Sequence, residues 1–328
     1  MGTLRVVLRA ALISICLTTT ALSDIWTVDD DSMADFDNIQ AAVDAASNGD
    51  EIIVMPGIYT GTGDQVVDTL GKEIWLHSYC YEPIRSNTRL VAYIDAEGAR
   101  RGIHCHSNET SNTIIEGFTF ANGYAATGGG MYNYNSSPMI INCIFSGNTA
   151  ENGGGMSNTF NSNPTMTNCT FISNTANYGG GMESYESSPS LTNCTFVGNT
   201  ANYGGGVNNW QSNLTLMSCS FTSNNANNGG GGIYNNPKST LTLTYTTLCG
   251  NMPDQIYGDW NDNGNNTISE ECSIGCPDLN GDGIVNVSDL LNIIEQWGLI
   301  NSYADVNLDG AVDVSDLLIV ISNWGPCE

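Results

Sequence analysis

Apolar and polar residues alternate in short runs through the middle of the chain, and the alternation changes phase at a recurring place. Met166, Leu191 and Leu216 keep one parity, while Cys169 with Phe171, Cys194 with Phe196 and Cys219 with Phe221 keep the other. Alternation with a period of two marks strands. A phase shift is what a strand needs when it bends round a corner and must keep its apolar side chains inward. The pattern recurs every 25 or 26 residues from about 113 to 250: Asn142-Cys143-Ile144-Phe145 returns as Asn168-Cys169-Thr170-Phe171 and as Asn193-Cys194-Thr195-Phe196. Phe118 with Phe120 opens the columns, Cys219, Phe221 and Asn224 continue them, and glycine triplets follow at 128–130, 153–155, 179–181, 204–206 and 229–231.

A unit of this length is too short for a domain and too polar for helices, so it must bury its core by stacking on its neighbours. The expected fold is an all-β right-handed parallel β-helix, with coils about 4.8 Å apart. Asn at a fixed corner tolerates left-handed backbone and can ladder its amide up the stack. The glycine triplets mark a second turn where close approach of neighbouring coils excludes side chains. Cys143, Cys169, Cys194 and Cys219 then form an inward column, read as buried free thiols, with inter-coil disulfides or a soft-metal stack as the alternatives.

Upstream, Phe36, Ile39, Val43 and Ala46 share one helical face, with Asp residues before it as caps and Asn48-Gly49 after it. A strand-like run at 51–54 and the Pro56-Gly57 turn come next, and residues 72–112 read as less regular coils. A capping helix is physically useful here, because it covers the open end of the stack.

Two further apolar patterns have helical spacing: Leu290, Leu291, Ile293, Ile294 and Trp297, then Leu317, Leu318, Val320, Ile321 and Trp324, offset by 27 residues. Each follows a loop with oxygen side chains at positions 1, 3, 5, 9 and 12 and Gly at 6. These are Asp278, Asn280, Asp282, Asn286 and Asp289 with Gly283, then Asp305, Asn307, Asp309, Asp313 and Asp316 with Gly310. Such a loop suits a hard cation with several oxygen ligands, which is calcium.

Composition narrows the setting. Arg5 and Arg9 precede an apolar run to Leu17 and a small-residue end at 21–23, the pattern of a secretory signal peptide over residues 1–23, with a run too short to span a bilayer. The formal net charge is −26, and loss of residues 1–23 would leave six basic against 34 acidic residues, or −28. Such a chain repels nucleic acid and anionic lipid, and it repels polyuronates unless calcium bridges them. The reading is of a secreted or extracellular protein without a membrane span. Ten cysteines remain outside residues 1–23; Cys276 and Cys327 flank the loop-helix repeat and are expected to pair, with Cys272 as the competing partner.

The duplicated loop-helix unit resembles a type I dockerin. That resemblance implies two calcium ions, held by the side chains named above together with the carbonyls of Ile284 and Ala311. It also implies a cohesin-like or other extracellular protein partner, contacted through Val287, Ser288, Val314 and Ser315. The glycine and Phe-x-x-Asn repeats resemble the polymorphic outer membrane protein repeats, and the helix-then-coil order at the start resembles the pectate-lyase-like β-helix superfamily. The domain reading is a β-helix over 24–258, an acidic linker over 259–275 and the dockerin-like module over 276–328.

Chemistry on the coils is sparse. The resemblance to pectate lyases implies a basic proton acceptor, yet the regular coils carry Lys238 and no Arg, which leaves Arg100 and Arg101 in the irregular coils. Glycoside hydrolysis needs two carboxylates flanking the bond, and Glu183 with Glu186 is the pair on offer. Tyr134, Tyr185 and Trp210 form an aromatic column beside them, suited to stacking sugar rings, although like side chains also stack in repeats without a ligand. His104 and His106 share one side of a strand and could begin a metal site, with strand packing as the alternative. Two functions follow: a surface or glycan-binding rod docked through its C-terminal module, or a polysaccharide hydrolase or lyase delivered by that module.

Overall fold

A computed structural model describes residues 23–31, 34–79, 91–272, 276–280, 282–299, 302, 304–306 and 311–327. The expected signal peptide at 1–23, apart from Ser23, and Asn307 and Asp309 lie outside the described residues. The main body is a right-handed β-solenoid of about nine turns. Three parallel sheets run its length, with ten, nine and eight strands.

One coil illustrates the design. Met139–Ile141 lies in the first sheet, Ile144–Ser146 in the second and Met156–Thr159 in the third. The corner between the first two sheets is the Asn-Cys pair: Asn142, Asn168 and Asn193 all have positive φ, between 53° and 55°. That turn moves Cys143 and Phe145 onto the inward side already held by Ile140, and all three are fully buried. Phe120, Phe145, Phe171, Phe196 and Phe221 stack coil on coil with ring centroids 4.5 to 5.0 Å apart.

Laddering belongs mainly to a second asparagine column, Asn148, Asn174, Asn199, Asn224 and Asn251. Each amide of the first four donates to the carbonyl oxygen of the next at 2.8 to 3.0 Å. Each also donates to the backbone carbonyl of a core Phe one coil back, as Asn174 does to Phe145 at 2.8 Å. These buried amides are therefore satisfied wholly within the solenoid. The glycine turn has the expected steric cause: a Cβ on Gly180 would stand 2.5 Å from the carbonyl oxygen of Gly205.

Helix α1, Ile39–Ala45, buries Ile39, Ala42 and Val43 at the open end of the stack. It is shorter than the apolar spacing predicts. Phe36 is drawn off into a bridge with Val28 and an edge contact with Trp26, and Asn38 rather than an Asp caps the helix by accepting from the amide of Ala41.

The stretch 259–275 does not behave as a linker up to Cys272. Asn261–Asp262 and Thr267–Ser269 pair in parallel with the preceding coil, Trp260 packs on the core, and Cys272 is bonded to Cys249. Backbone pairing and a disulfide outweigh the polar composition that suggests a free segment.

The C-terminal module contains α2, Val287–Glu295, and α3, Val314–Ser322, each opened by a capping box of Asn286 with Asp289 or Asp313 with Asp316. A small core of Val285, Ile293, Ala304, Val312 and Val320 joins them, and Ile284–Val285 pairs antiparallel with Gly325–Pro326. Cys276 is bonded to Cys327, closing the ends of the module.

Candidate functional site: an aromatic groove and two acidic loops

The outward face of the third sheet carries two parallel files of side chains. Backbone register aligns Asp68, His104, Tyr132, Ser157, Glu183 and Asn208 in one file, and Tyr134, Thr159, Tyr185 and Trp210 in the other. Tyr134 and Tyr185 are thus two coils apart, with Thr159 in the coil between them. Phe160, one residue further on at a left-handed turn with φ 55°, restores the aromatic surface by making edge contacts with Tyr134 at 5.5 Å and Tyr185 at 5.6 Å. No alternation signal marks Phe160, because it sits in a turn.

The short strand before each glycine turn forms a side wall, in which Thr127, Asn152, Tyr178 and Tyr203 follow one another. Between wall and sheet lies a hollow of about 420 Å³, lined by Tyr132, Phe160, Tyr178, Glu183, Tyr185, Asn208 and Trp210 among others. A second of about 210 Å³ shares Tyr178, Asn208 and Trp210 and continues to Tyr203 and Tyr234. Tyr178 stacks on Tyr203, and Tyr234 on Tyr257. Sequence periodicity finds the column on the sheet and misses this wall.

Glu183 is the sole carboxylate among the described residues lining the larger hollow. Glu186 stands on the turn three residues later, exposed and at φ 50°, and does not line it. The expected pair is thus divided by the corner. Ser157 Oγ donates to Glu183 Oε2 at 3.0 Å, and burial pushes the Glu183 carboxyl up to about 7 against that hydrogen bond. Asn208, the next residue in its file, is 2% exposed, and its Oδ1 has no hydrogen-bond partner among the described residues.

The folded state therefore holds a proton on Glu183 between the ordinary carboxyl value of 4.5 and about 7. Unfolding in that window releases it, so this contribution to stability is present at low pH and is lost as pH rises. Urea unfolding at pH about 5 and about 8 should show a larger loss in the parent chain than in Glu183→Gln. Equal losses would mean that Glu183 ionises as it does in water.

Arg100 pairs with Glu97. Arg101 donates to the carbonyls of Thr127 and Gly128 and lies 5.0 Å from the ring centre of Tyr132. The Arg101 guanidinium is thus held by backbone carbonyls, while Arg100 has its ion pair with Glu97 and a buried Nε with no hydrogen-bond partner among the described residues. The inward cysteines 143, 169, 194 and 219 are free and buried, and burial pushes the Cys143 thiol up to about 12. Thiol protons directed at backbone carbonyls, as from Cys143 to Ile141 at 3.3 Å, mark them as packing groups.

In the first acidic loop the oxygen side chains turn inward. Asp278 accepts from the amides of Asp282 and Gly283, Asn280 from Asp282, and Asp282 from Ile284. Asp289 is fully buried and accepts from Leu279, Asn280 and Asn286, while Asp316 is fully buried and accepts from Val306 and Asp313. Residues 239–328 contain no Lys, Arg or His. Buried charge of this kind needs a counter-charge, and a calcium ion fits the donor set.

Residues 84–221 match the family model for the right handed beta helix region, and residues 277–324 match that for the dockerin type I domain. No curated protein matches the chain. Among solved structures, the crystal structure of pectate lyase Pel9A is similar, with 17% identity and a TM-score of 0.46 over 76% of this chain and 73% of that one.

Proposed function

We propose, for a chain that joins a right-handed β-helix to a dockerin type I domain, a secreted protein that binds a polysaccharide in its groove and docks through its C-terminal module. The observation that carries the reading is the groove itself. It is a long outward face with aromatic rings on both floor and wall, interrupted by Asn and Thr side chains and one protonatable carboxyl. Aromatic faces stack on sugar rings while polar groups select hydroxyls. The excess of negative charge favours a neutral glycan over a polyuronate.

Type I dockerins bind calcium and cohesins. In this reading one ion sits among Asp278, Asn280, Asp282, Asn286, Asp289 and the Ile284 carbonyl, and a second among Asp305, Asn307, Asp309, Asp313, Asp316 and the Ala311 carbonyl. Val287 and Val314 are 56% and 54% exposed. Leu291 and Ile294 on α2 with Trp297 just past its end, and Leu318 and Ile321 on α3 with Trp324 just past its end, are exposed at matching steps. With Ser288 and Ser315 they offer a protein partner two near-identical apolar faces.

Cleavage is the second reading, favoured by the raised affinity of Glu183 for a proton, as in a general acid. Opposing it is the lack of a second carboxylate among the described lining residues. Arraying the full chain against polysaccharides, with calcium present, tests both readings. Binding is expected without new reducing ends or unsaturated products. Tyr185→Ala and Trp210→Ala should each weaken it about 10-fold, the scale of one aromatic contact. Product release that Glu183→Gln abolishes would replace the binding reading with the enzymatic one, and unchanged affinity in both aromatic variants would remove the groove from either.

A further inference from the structure

Asp68, His104 and His106 offer ligand atoms that all lie within 4.8 Å of one another, at the N-terminal end of the groove. We propose that they form a site for a first-row transition-metal dication, zinc in the first instance, separate from the calcium loops.

His106 Nε2 and Asp68 Oδ2 are 3.1 Å apart, close to the roughly 3.3 Å between two ligands on one tetrahedral zinc. His104 and His106 have ring centroids 4.2 Å apart, so a small rotation completes the set. His104 Nε2 is buried and has no hydrogen-bond partner among the described residues. An imidazole nitrogen withdrawn from water without a partner carries a desolvation penalty that a metal would remove.

The surroundings hold the ligands in place. Asp68 Oδ1 accepts from the amide of Leu70 at 3.0 Å, and Oδ2 from the Gln65 side chain at 3.1 Å. His104 stacks on Tyr132 with the ring planes 11° apart. Arg101 is the nearest competing cation, but its guanidinium is directed at the Thr127 and Gly128 carbonyls. Two imidazoles and one carboxylate select zinc or a neighbour in its row over calcium, which prefers an all-oxygen shell. His106 is partly exposed, so a fourth position would open to solvent.

The chain has three histidines, which makes the test compact. Zinc is titrated into the full chain by calorimetry with calcium in excess to occupy the oxygen loops, and cobalt is followed by its visible spectrum. One zinc per chain is expected to bind. His106→Gln, on a partly exposed side chain, and Asp68→Asn should each weaken it by more than about 10-fold and erase the cobalt bands. His77→Gln is the control, because His77 pairs with Glu51 away from the cluster; it should leave affinity unchanged. Far-UV circular dichroism verifies that each variant is folded. Absence of calcium-resistant zinc binding, or equal affinity in folded His106→Gln and parent, would overturn the site.

Discussion

Chelating calcium with EGTA is expected to unfold the C-terminal module while leaving the β-helix intact. Among the described residues, the module's fully buried core is five small or medium side chains, Val285, Ile293, Ala304, Val312 and Val320. A core of that size cannot hold a fold alone. Each helix also carries a buried carboxylate in its first turn, Asp289 or Asp316, in a stretch of sequence that has no basic residue after Lys238. In the calcium-binding reading proposed above, metal binding and folding of this unit would be one event. At free calcium about 1,000 times the dissociation constant, a bound ion adds about 4 kcal/mol. Hydrogen exchange should show the amides of α2 and α3 losing protection in EGTA, while those of the Asn148 to Asn251 ladder keep theirs. The Cys276–Cys327 bond would keep the unfolded ends joined. Asp289→Ala and Asp316→Ala should each remove one of two calcium ions counted by titration. Protection of both helices that survives EGTA would show the module to be self-supporting and would remove calcium from its folding.

The other large effect lies in the solenoid. Phe171→Ala should cost about 3 to 5 kcal/mol, the usual loss for a fully buried aromatic side chain. Its ring is stacked at 4.8 Å on Phe145 and 4.6 Å on Phe196, so truncation opens a gap bordered by both neighbours. Because each coil contacts only the next, the damage should also weaken coupling between the two halves of the stack. Urea unfolding would then lose cooperativity as well as midpoint. Phe160→Ala, at an exposed turn, provides the contrast and should change stability by less than about 1 kcal/mol. Equal losses in the two variants would mean that the ring stack is not what holds the coils together.

Much of this architecture is legible in the chain because its determinants are local and repeat. The phase shift at Asn142-Cys143, Asn168-Cys169 and Asn193-Cys194 locates the corner, and the structure places left-handed asparagines there. The glycine triplets locate the turn where coils press together. The paired loops stand out by the spacing of their oxygen side chains alone. The metal cluster is not legible in this way. His104 and His106 stand out, but Asp68 lies 36 residues before His104 and becomes its neighbour through strand pairing in the irregular first coils. Without a regular repeat, the number of residues between coils does not reveal which side chains align.

The same distinction holds for the whole protein. By itself the sequence determined the stacked coils, the inward Phe and Cys columns, the N-terminal cap and the two acidic loop-helix units, since each follows from a few neighbouring residues and their period. Tertiary structure alone decided that Glu183 is buried against Ser157 while Glu186 faces solvent, that Phe160 and Tyr178 complete the aromatic groove, and that residues 261–269 pair onto the last coil. The physical reason is that burial, and with it the affinity of a carboxyl for its proton, depends on which side chains of other coils close over a residue. That closure is set by turn geometry and inter-coil register, which no local pattern encodes.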